Sequence, residues 1–245
     1  MILGALVVCM VAVSLGFVEH VCTRKILAPA EASVKIDRTA MTSESRAPKR
    51  PYEKKARAAQ EEATRHRIIE AAIALHGTVG PARTTISSIA DRAGVRRATV
   101  YRHFPDERAL FRSCSGTWQE RNPVPDPATW AGIDDPGARL DVALDALYRW
   151  YERAEPMLSA VLRDVDAMPL IAELQAGRLE YVAHVEEGLA MGWGVRGKAA
   201  RRLRATIGLA LDFFAWRTLN ERGLARGEAT DIMASAVRAA AASAP

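Results

Sequence analysis

The stretch TTISSIADRAGVRRATVYRHFPDERALF, residues 84–111, constrains the fold more than any other part of the chain. Thr85 offers a hydroxyl group at a helix N-terminus, and apolar residues then recur at helical spacing as far as Ala93. Gly94 permits a turn through positive φ, and a second short helical pattern contains Val100. This order predicts a helix-turn-helix, whose second helix enters the major groove of DNA.

At these residues the chain resembles the TetR family of bacterial transcriptional repressors. The match extends in register from Arg65 to Phe111. Its positions are Ala71, Ala72, Leu75, Gly77, Gly80, Thr84, Thr85, Ile89, Ala90, Ala93, Gly94, Val95, Thr99, Tyr101, His103, Phe104 and Leu110. The remaining two-thirds of the chain matches the family only in length and helical character.

Charge and composition agree with this interpretation. Residues 46–112 carry 15 basic and 7 acidic side chains, whereas residues 113–245 carry 15 basic and 18 acidic ones. A net charge of +8 around the helix-turn-helix suits neutralisation of DNA phosphates, although a solvated Arg-rich surface would give the same count. No alternation typical of strands persists. We predict an all-α protein, with a three-helix DNA-binding unit at 61–112 and a helical-bundle regulatory and dimerisation domain at 113–245.

Side chains at the start of the second helix are candidates for reading DNA bases. Arg96, Arg97 and Thr99 lie there, and the fork of an arginine guanidinium fits the O6 and N7 atoms of guanine. Ala98 is small enough to contact the methyl group of thymine. We therefore predict base contacts by these four residues, with Val100 buried beneath them.

The resemblance also implies residues that bind phosphates and set the register on DNA. With the adjacent arginine included, the predicted phosphate contacts are Thr85, Tyr101, Arg102 and His103. The family usually places a lysine at the N-terminus of the next helix, where this chain has Glu107. A carboxylate suits a helix N-terminus but repels DNA, so Arg108 is the expected substitute.

The N-terminal part of the chain leaves several interpretations open. Residues 2–18 form an uncharged apolar run of borderline length for a membrane span, and a linker follows to residue 45. Translation starting at Met41 would omit the run; otherwise it anchors the chain in a membrane, or it is a cleaved or cryptic segment. Residues 46–60 are predicted to be a basic, disordered arm with a weak electrostatic attraction to DNA.

Helical periodicity continues through the C-terminal two-thirds. We predict helices over 61–76, 106–122, 139–153, 157–165, 169–191, 198–219 and 228–242, with a break at Pro156. Residues 205–219 are apolar on nearly every face, which is typical of a central helix in a monomer or of one shared with a partner. The resemblance implies a homodimer whose recognition helices lie about 34 Å apart on a palindromic operator.

The resemblance further implies that a small-molecule effector binds the C-terminal domain, changes the spacing of the recognition helices and releases DNA. Aromatic and methionine side chains could line its pocket, although such residues at helical spacing more often form plain core. The predicted pocket residues are Trp150, Tyr151, Met157, Met168, Tyr181, Phe213 and Phe214.

Other motifs argue against an enzyme. Gly192–Gly197 spells the dinucleotide fingerprint G-x-G-x-x-G, but a helix precedes it where the motif requires a strand. The three cysteines and five histidines have no metal-ligand spacing. We predict no catalytic residue, no metal and no cofactor, and a location in the cytoplasm at the nucleoid. The predicted function is a DNA-binding repressor; the alternative is a helical ligand-binding or scaffold protein with a non-specific DNA-binding surface.

Overall fold

The computed structural model describes residues 49–242, which contain eleven α-helices and no β-strand. The helices are α1 (Lys49–Thr78), α2 (Ile86–Ala93), α3 (Arg97–His103), α4 (Glu107–Arg121), α5 (Ala128–Ala131), α6 (Pro136–Arg163), α7 (Pro169–Leu174), α8 (Ala176–Ala190), α9 (Gly197–Ala210), α10 (Phe213–Glu221) and α11 (Arg226–Ala242). The predicted all-α class is confirmed. Within this range, no helix has the length and hydropathy needed to cross a bilayer; the run at 2–18 lies outside it.

Helix α1 begins twelve residues before the predicted start at 61. Residues 49–60, predicted to be a disordered arm, are therefore helical, and the side chains from Lys54 to Ala63 are exposed. Alanine, glutamate, lysine and arginine dominate this segment, and all four are strong helix formers. An exposed ion pair between Arg57 and Glu61, four residues apart, adds local support.

The first hydrophobic core joins α1 to the helix-turn-helix. Ile68 and Ala72 from α1 pack with Ile89 of α2 and Val100 of α3, all of them almost completely buried. Arg65 extends this contact at the edge of the core, since its guanidinium lies 5.1 Å from the centre of the Phe104 ring. The core thus holds α2 and α3 in a fixed orientation.

Helix α4 crosses the predicted domain boundary at 112/113 without interruption. Leu110 and Cys114 lie in the first core, and Phe111 packs with Val161 and Ile171 in a small second cluster. Trp118, two turns further on, packs against the large C-terminal core. One continuous helix therefore contributes to the hydrophobic interior on both sides of the boundary.

The large C-terminal core is built around α6, which continues through Pro156. The predicted break at this proline was wrong. Pro156 is exposed, and so is Glu152, whose carbonyl group loses its helical donor, while Ala154 and Leu158 on the inner face stay buried. The segment 157–165, predicted as a separate helix, is the last part of α6 down to Arg163.

The predicted helix 198–219 is divided into α9 and α10. The first ends at Ala210, and Asp212 caps the second, because its carboxylate accepts a hydrogen bond from the amide of Ala215 at 2.8 Å. The hydroxyl groups of Tyr148 and Tyr151 donate to the carbonyls of Ala210 and Leu211, at 2.8 and 2.6 Å. These bonds satisfy carbonyls that the break would leave unpaired. A similar interruption at Gln175 separates α7 from α8 in the predicted helix 169–191.

Candidate nucleic-acid interface and ligand cavity

The turn between α2 and α3 has the geometry that the sequence predicts. Thr85 caps α2: its hydroxyl accepts from the amide of Ser88 at 3.1 Å, and the Ser88 hydroxyl accepts from the amide of Thr85 at 3.0 Å. Gly94 ends α2 in the left-handed conformation, with φ of 66°. The amide of Val95 then donates to the carbonyl of Ala90 at 3.0 Å, and α3 starts two residues later.

Helix α3 exposes the residues predicted to read bases. Arg96 is the residue before its first turn, and Arg97, Ala98 and Thr99 form that turn. Arg96, Arg97 and Ala98 are exposed and Thr99 is half-buried, whereas Val100 is fully buried against α1 and α2. The N-terminal end of α3 therefore offers two guanidinium groups, a methyl group and a hydroxyl group on one accessible surface.

The predicted phosphate-binding residues differ in accessibility. Thr85, Tyr101 and Arg102 are exposed, with 44% of the Tyr101 surface open to solvent. His103 is half-buried, and its Nε2 atom is enclosed with no hydrogen-bond partner among the described residues. Three of the four side chains are thus open to solvent, while Nε2 of His103 faces the protein.

Arg108, the expected substitute for the family's lysine, already has a partner. Its Nη1 atom donates to both carboxylate oxygens of Glu173 at 2.5 Å, and Arg112 lies 3.7 Å from the same carboxylate. The hydrogen bond from Arg108 holds the pKa of Glu173 below its usual range. A phosphate would therefore compete with Glu173 for Arg108. The spacing of residues in the sequence did not predict this pairing.

The end of α6 binds the loop that leads into the DNA-binding helices. Asp164, only 7% exposed, accepts from the amide of Ala82 at 3.0 Å and from Nε of Arg163 at 3.0 Å. Arg163 also donates to the carbonyl of Val79 at 3.1 Å. Burial would raise the pKa of Asp164, but these hydrogen bonds outweigh it and the pKa is lowered. We call this arrangement the Asp164 clamp.

Gly80 lies directly inside the Asp164 clamp. Its φ is 93°, and an added Cβ atom would lie 2.1 Å from Nη2 of Arg163 and 2.4 Å from Oδ2 of Asp164. A glycine is therefore required twice over, by the backbone conformation and by the close approach of α6. The clamp joins residues more than eighty positions apart and fixes the exit of α1 toward α2.

A cavity of about 220 Å³ lies between α1, α4 and α6. Helix α1 contributes Ile73 and His76, and α6 contributes Met157, Leu158 and Val161. The α4 side of the wall consists of Phe111, Arg112, Cys114, Ser115, Gly116, Trp118 and Gln119, and Gln175 completes it. The cavity thus adjoins the DNA-binding unit and shares α6 with the Asp164 clamp.

His76 and Cys114 are the buried polar groups of this cavity. Nδ1 of His76 lies 3.5 Å from Sγ of Cys114, whose thiol donates to the carbonyl of Phe111 at 3.1 Å. The imidazole ring packs on Phe111 with 4.9 Å between ring centres. Burial lowers the pKa of His76 to about 4 and raises the pKa of Cys114 to about 12. Both groups are therefore uncharged at neutral pH.

Comparison with known proteins agrees with the helix-turn-helix geometry. Residues 68–114 match the family model described as bacterial regulatory proteins, tetR family. The chain carries the DNA-binding domain of the TetR family. The family predicted from the sequence is thereby confirmed, and α2 and α3 lie at the centre of the matched segment.

Solved structures, among them two described as TetR regulators, share the fold beyond the matched segment. A TetR-like transcriptional regulator from Rhodococcus sp. RHA1 has a TM-score of 0.54 at 16% identity, over 74% of this chain and 97% of that chain. A protein proposed to be a TetR-family regulator, from Mesorhizobium loti, gives 0.51 at 19% identity, over 74% and 96%. One proposed to regulate fatty acid metabolism, from Clostridium perfringens, gives 0.51 at 17%, over 70% and 96%. No curated protein is significantly similar in sequence.

The lining of the cavity differs from the predicted effector pocket. Met157 lines it, and Met168 lines a smaller space beside α2. The other predicted residues lie elsewhere: Trp150, Tyr151 and Phe213 pack on one another in the C-terminal core, Tyr181 donates to the carbonyl of Pro125, and Phe214 is 48% exposed. Trp150, Tyr151 and Phe213 are almost completely buried, and the centres of neighbouring rings lie 5.3 to 5.5 Å apart.

Sequence reasoning missed most of the cavity wall. His76 is one of the five histidines that show no metal-ligand spacing. Cys114 belongs to no disulfide or zinc pattern. Trp118 and Gln119 lie on α4 without any local motif, and Gln175 lies between two helices predicted as one. These residues are identified as cavity lining only because they lie near α6 in the folded structure.

Proposed function

We propose that this TetR-family regulator binds a palindromic operator as a homodimer and acts as a repressor that a small-molecule effector releases. The observation that carries the DNA-binding part is the surface of α3, where Arg96, Arg97, Ala98 and Thr99 are accessible above the buried Val100. The net charge of +8 over residues 46–112 supports attraction to phosphates. DNA as the target places the protein in the cytoplasm, at the nucleoid.

Exposed apolar side chains on the last helices support the homodimer. Leu209 of α9, Phe214 of α10 and Ile232 of α11 are 54%, 48% and 45% exposed. Large apolar groups of this kind, close together in the chain's C-terminal third, are typical of surfaces buried by association. Two-fold symmetry of the dimer would then match two operator half-sites about one helical turn apart.

The cavity supports the effector part of the proposal. It lies between the DNA-binding unit and the C-terminal core, and α4 and α6 form most of its wall. A ligand that favours one spacing of these helices shifts the population toward that spacing, by as much as its affinities for the two states differ. Since the Asp164 clamp connects α6 to the loop before α2, the shift would reach α3.

Selection from a random DNA pool tests the proposed function. We expect the protein at near-physiological salt to enrich a palindrome with half-sites about one turn apart. The alternative, a ligand-binding or scaffold protein with a non-specific surface, predicts salt-sensitive binding without enrichment. The Arg108–Glu173 pair favours this alternative, because it occupies the cation expected at the DNA backbone.

Two substitutions on α3 should separate base readout from phosphate binding. Arg97→Ala should cost about 1–3 kcal/mol on the preferred sequence and relax the preference at one base position, because a bidentate guanine contact is lost. Tyr101→Phe should weaken binding to all sequences alike. Competition binding with a set of single-base operator variants measures both, and Arg92→Ala, an exposed arginine on α2, controls for loss of charge. Equal losses on every sequence for both variants would contradict the division.

A further inference from the structure

We propose that the cavity between α1, α4 and α6 selects an uncharged, largely apolar ligand. The inference rests on the proposed function, since it names the chemical class of the effector. Most of the wall is apolar: Ile73 from α1, Phe111 and Trp118 from α4, and Met157, Leu158 and Val161 from α6. Binding of apolar atoms to such a surface is favourable because water is displaced from it. An ion that enters the cavity loses its hydration shell and finds no interaction that compensates for the loss.

The volume sets the size of the ligand. A dry apolar cavity of roughly 150 Å³ holds benzene. The present cavity of about 220 Å³ is about half as large again, and it is partly open to solvent. It therefore fits a bicyclic aromatic molecule or a short branched chain, and it is too small for a long polycyclic compound.

The polar groups inside the cavity are uncharged. His76 and Cys114 face each other across 3.5 Å and are both almost completely buried, at 7% and 2% exposure. Ser115, Gln119 and Gln175 add a hydroxyl and two amides. These five groups can hydrogen-bond to a hydroxyl or carbonyl on the ligand, which accommodates one polar group but provides no counter-charge.

Arg112 is the charged member of the described lining, and it belongs to the rim. Its side chain is 60% exposed, and its guanidinium lies 3.7 Å from the carboxylate of Glu173, which Arg108 also binds. An anion at the opening of the cavity would be repelled by Glu173 as well as attracted by the two arginines, and solvent screens these charges. Since the lining contains no carboxylate and no lysine, a cation has no partner there.

Three probes of one shape test the charge preference directly. They are 2-naphthylmethanol, the 2-naphthylmethylammonium ion and 2-naphthoate, titrated calorimetrically into the full-length protein at pH 7.5. We expect the neutral alcohol to bind about tenfold more tightly than either ion, or better, because the ions lose hydration without compensation. Equal or tighter binding of an ion, or no binding of any probe, would overturn the inference.

A single substitution should change the preference. Gln119→Glu keeps the shape of an exposed lining residue and adds a carboxylate, so the ammonium probe should gain about tenfold in affinity while the naphthoate loses. Gln60→Glu adds the same charge at an exposed position of α1 that does not line the cavity, and should leave all three affinities as they are. If both variants behave alike, the probes bind elsewhere and the inference fails.

DNA binding is read separately, by fluorescence anisotropy of the selected operator. A neutral probe that binds but does not weaken operator binding would confirm the ligand class and contradict the proposed release mechanism. If the protein binds the operator but prefers a charged probe to the neutral one, the ligand class is contradicted and the proposed DNA binding is not. The two failures are therefore distinguishable.

Discussion

Lowering the pH from 7 to 4 is expected to cost the folded protein about 3 kcal/mol of unfolding free energy through His76 alone. Burial lowers the pKa of this imidazole from 6.5 to about 4. In the unfolded chain the imidazole is protonated below about pH 6.5, whereas in the folded chain it is protonated only below about pH 4. The free energy of unfolding therefore falls across this interval as the pH drops. At 1.36 kcal/mol for each pH unit, the difference amounts to about 3 kcal/mol.

Replacement of His76 isolates this contribution from the carboxylates that titrate in the same range. His76→Phe removes the titrating group and keeps a ring against Phe111. In urea unfolding at pH 7, 6, 5 and 4, the variant should retain about 3 kcal/mol more of its pH 7 stability at pH 4 than the unchanged protein. His184→Phe, at an exposed position on α8, should follow the unchanged protein. Parallel pH profiles for all three proteins would show that His76 does not resist protonation.

Removal of the Asp164 carboxylate should both destabilise the protein and weaken operator binding. Asp164→Ala leaves the amide of Ala82 and Nε of Arg163 without their acceptor, at a cost of about 1–3 kcal/mol. Because the loop from Val79 to Ala82 sets where α2 begins, the spacing of the recognition helices should become less defined. Operator affinity is then expected to fall more than affinity for random DNA.

Asp166→Ala is the matched control for the clamp. Asp166 is exposed two residues further along, so its loss changes the net charge equally without touching the loop. Urea unfolding gives the stability of each variant, and hydrogen exchange of the amides at 79–84 reports on the loop itself. Faster exchange confined to Asp164→Ala is the expected result. Identical exchange in the two variants would mean that the loop is held by its own turn and not by α6.

Local signals predicted the DNA-binding unit well and the rest of the protein less well. Thr85 and Gly94 act through neighbours within a few positions, so the helix-turn-helix could be derived from spacing. The break at Asp212 depends on tyrosine hydroxyls some sixty residues earlier, and the helix through Pro156 depends on the packing of Ala154 and Leu158 in the C-terminal core. Long-range packing outweighs local propensity at both places.

The candidate sites show the same division. The exposure of Arg97 followed from the helical pattern of α3, whereas the pairing of Arg108 with Glu173 joins residues 65 positions apart. The effector pocket was predicted among aromatic residues because aromatics often line pockets, but here those rings fill a core. A cavity forms where side chains do not fill the interior, and residue type alone does not predict where that happens.

The continuity of α4 has a consequence for how ligand preference can be changed. Cys114 faces the first core and the cavity, Phe111 the second cluster and the cavity, and Trp118 the C-terminal core and the cavity. A substitution at any of these positions alters both the ligand fit and the packing of the core or cluster that the residue faces, which for Cys114 is the core of the DNA-binding helices. Met157 and Gln175 border the cavity from outside the DNA-binding core, so redesign toward a new ligand has most freedom there and should leave operator preference unchanged.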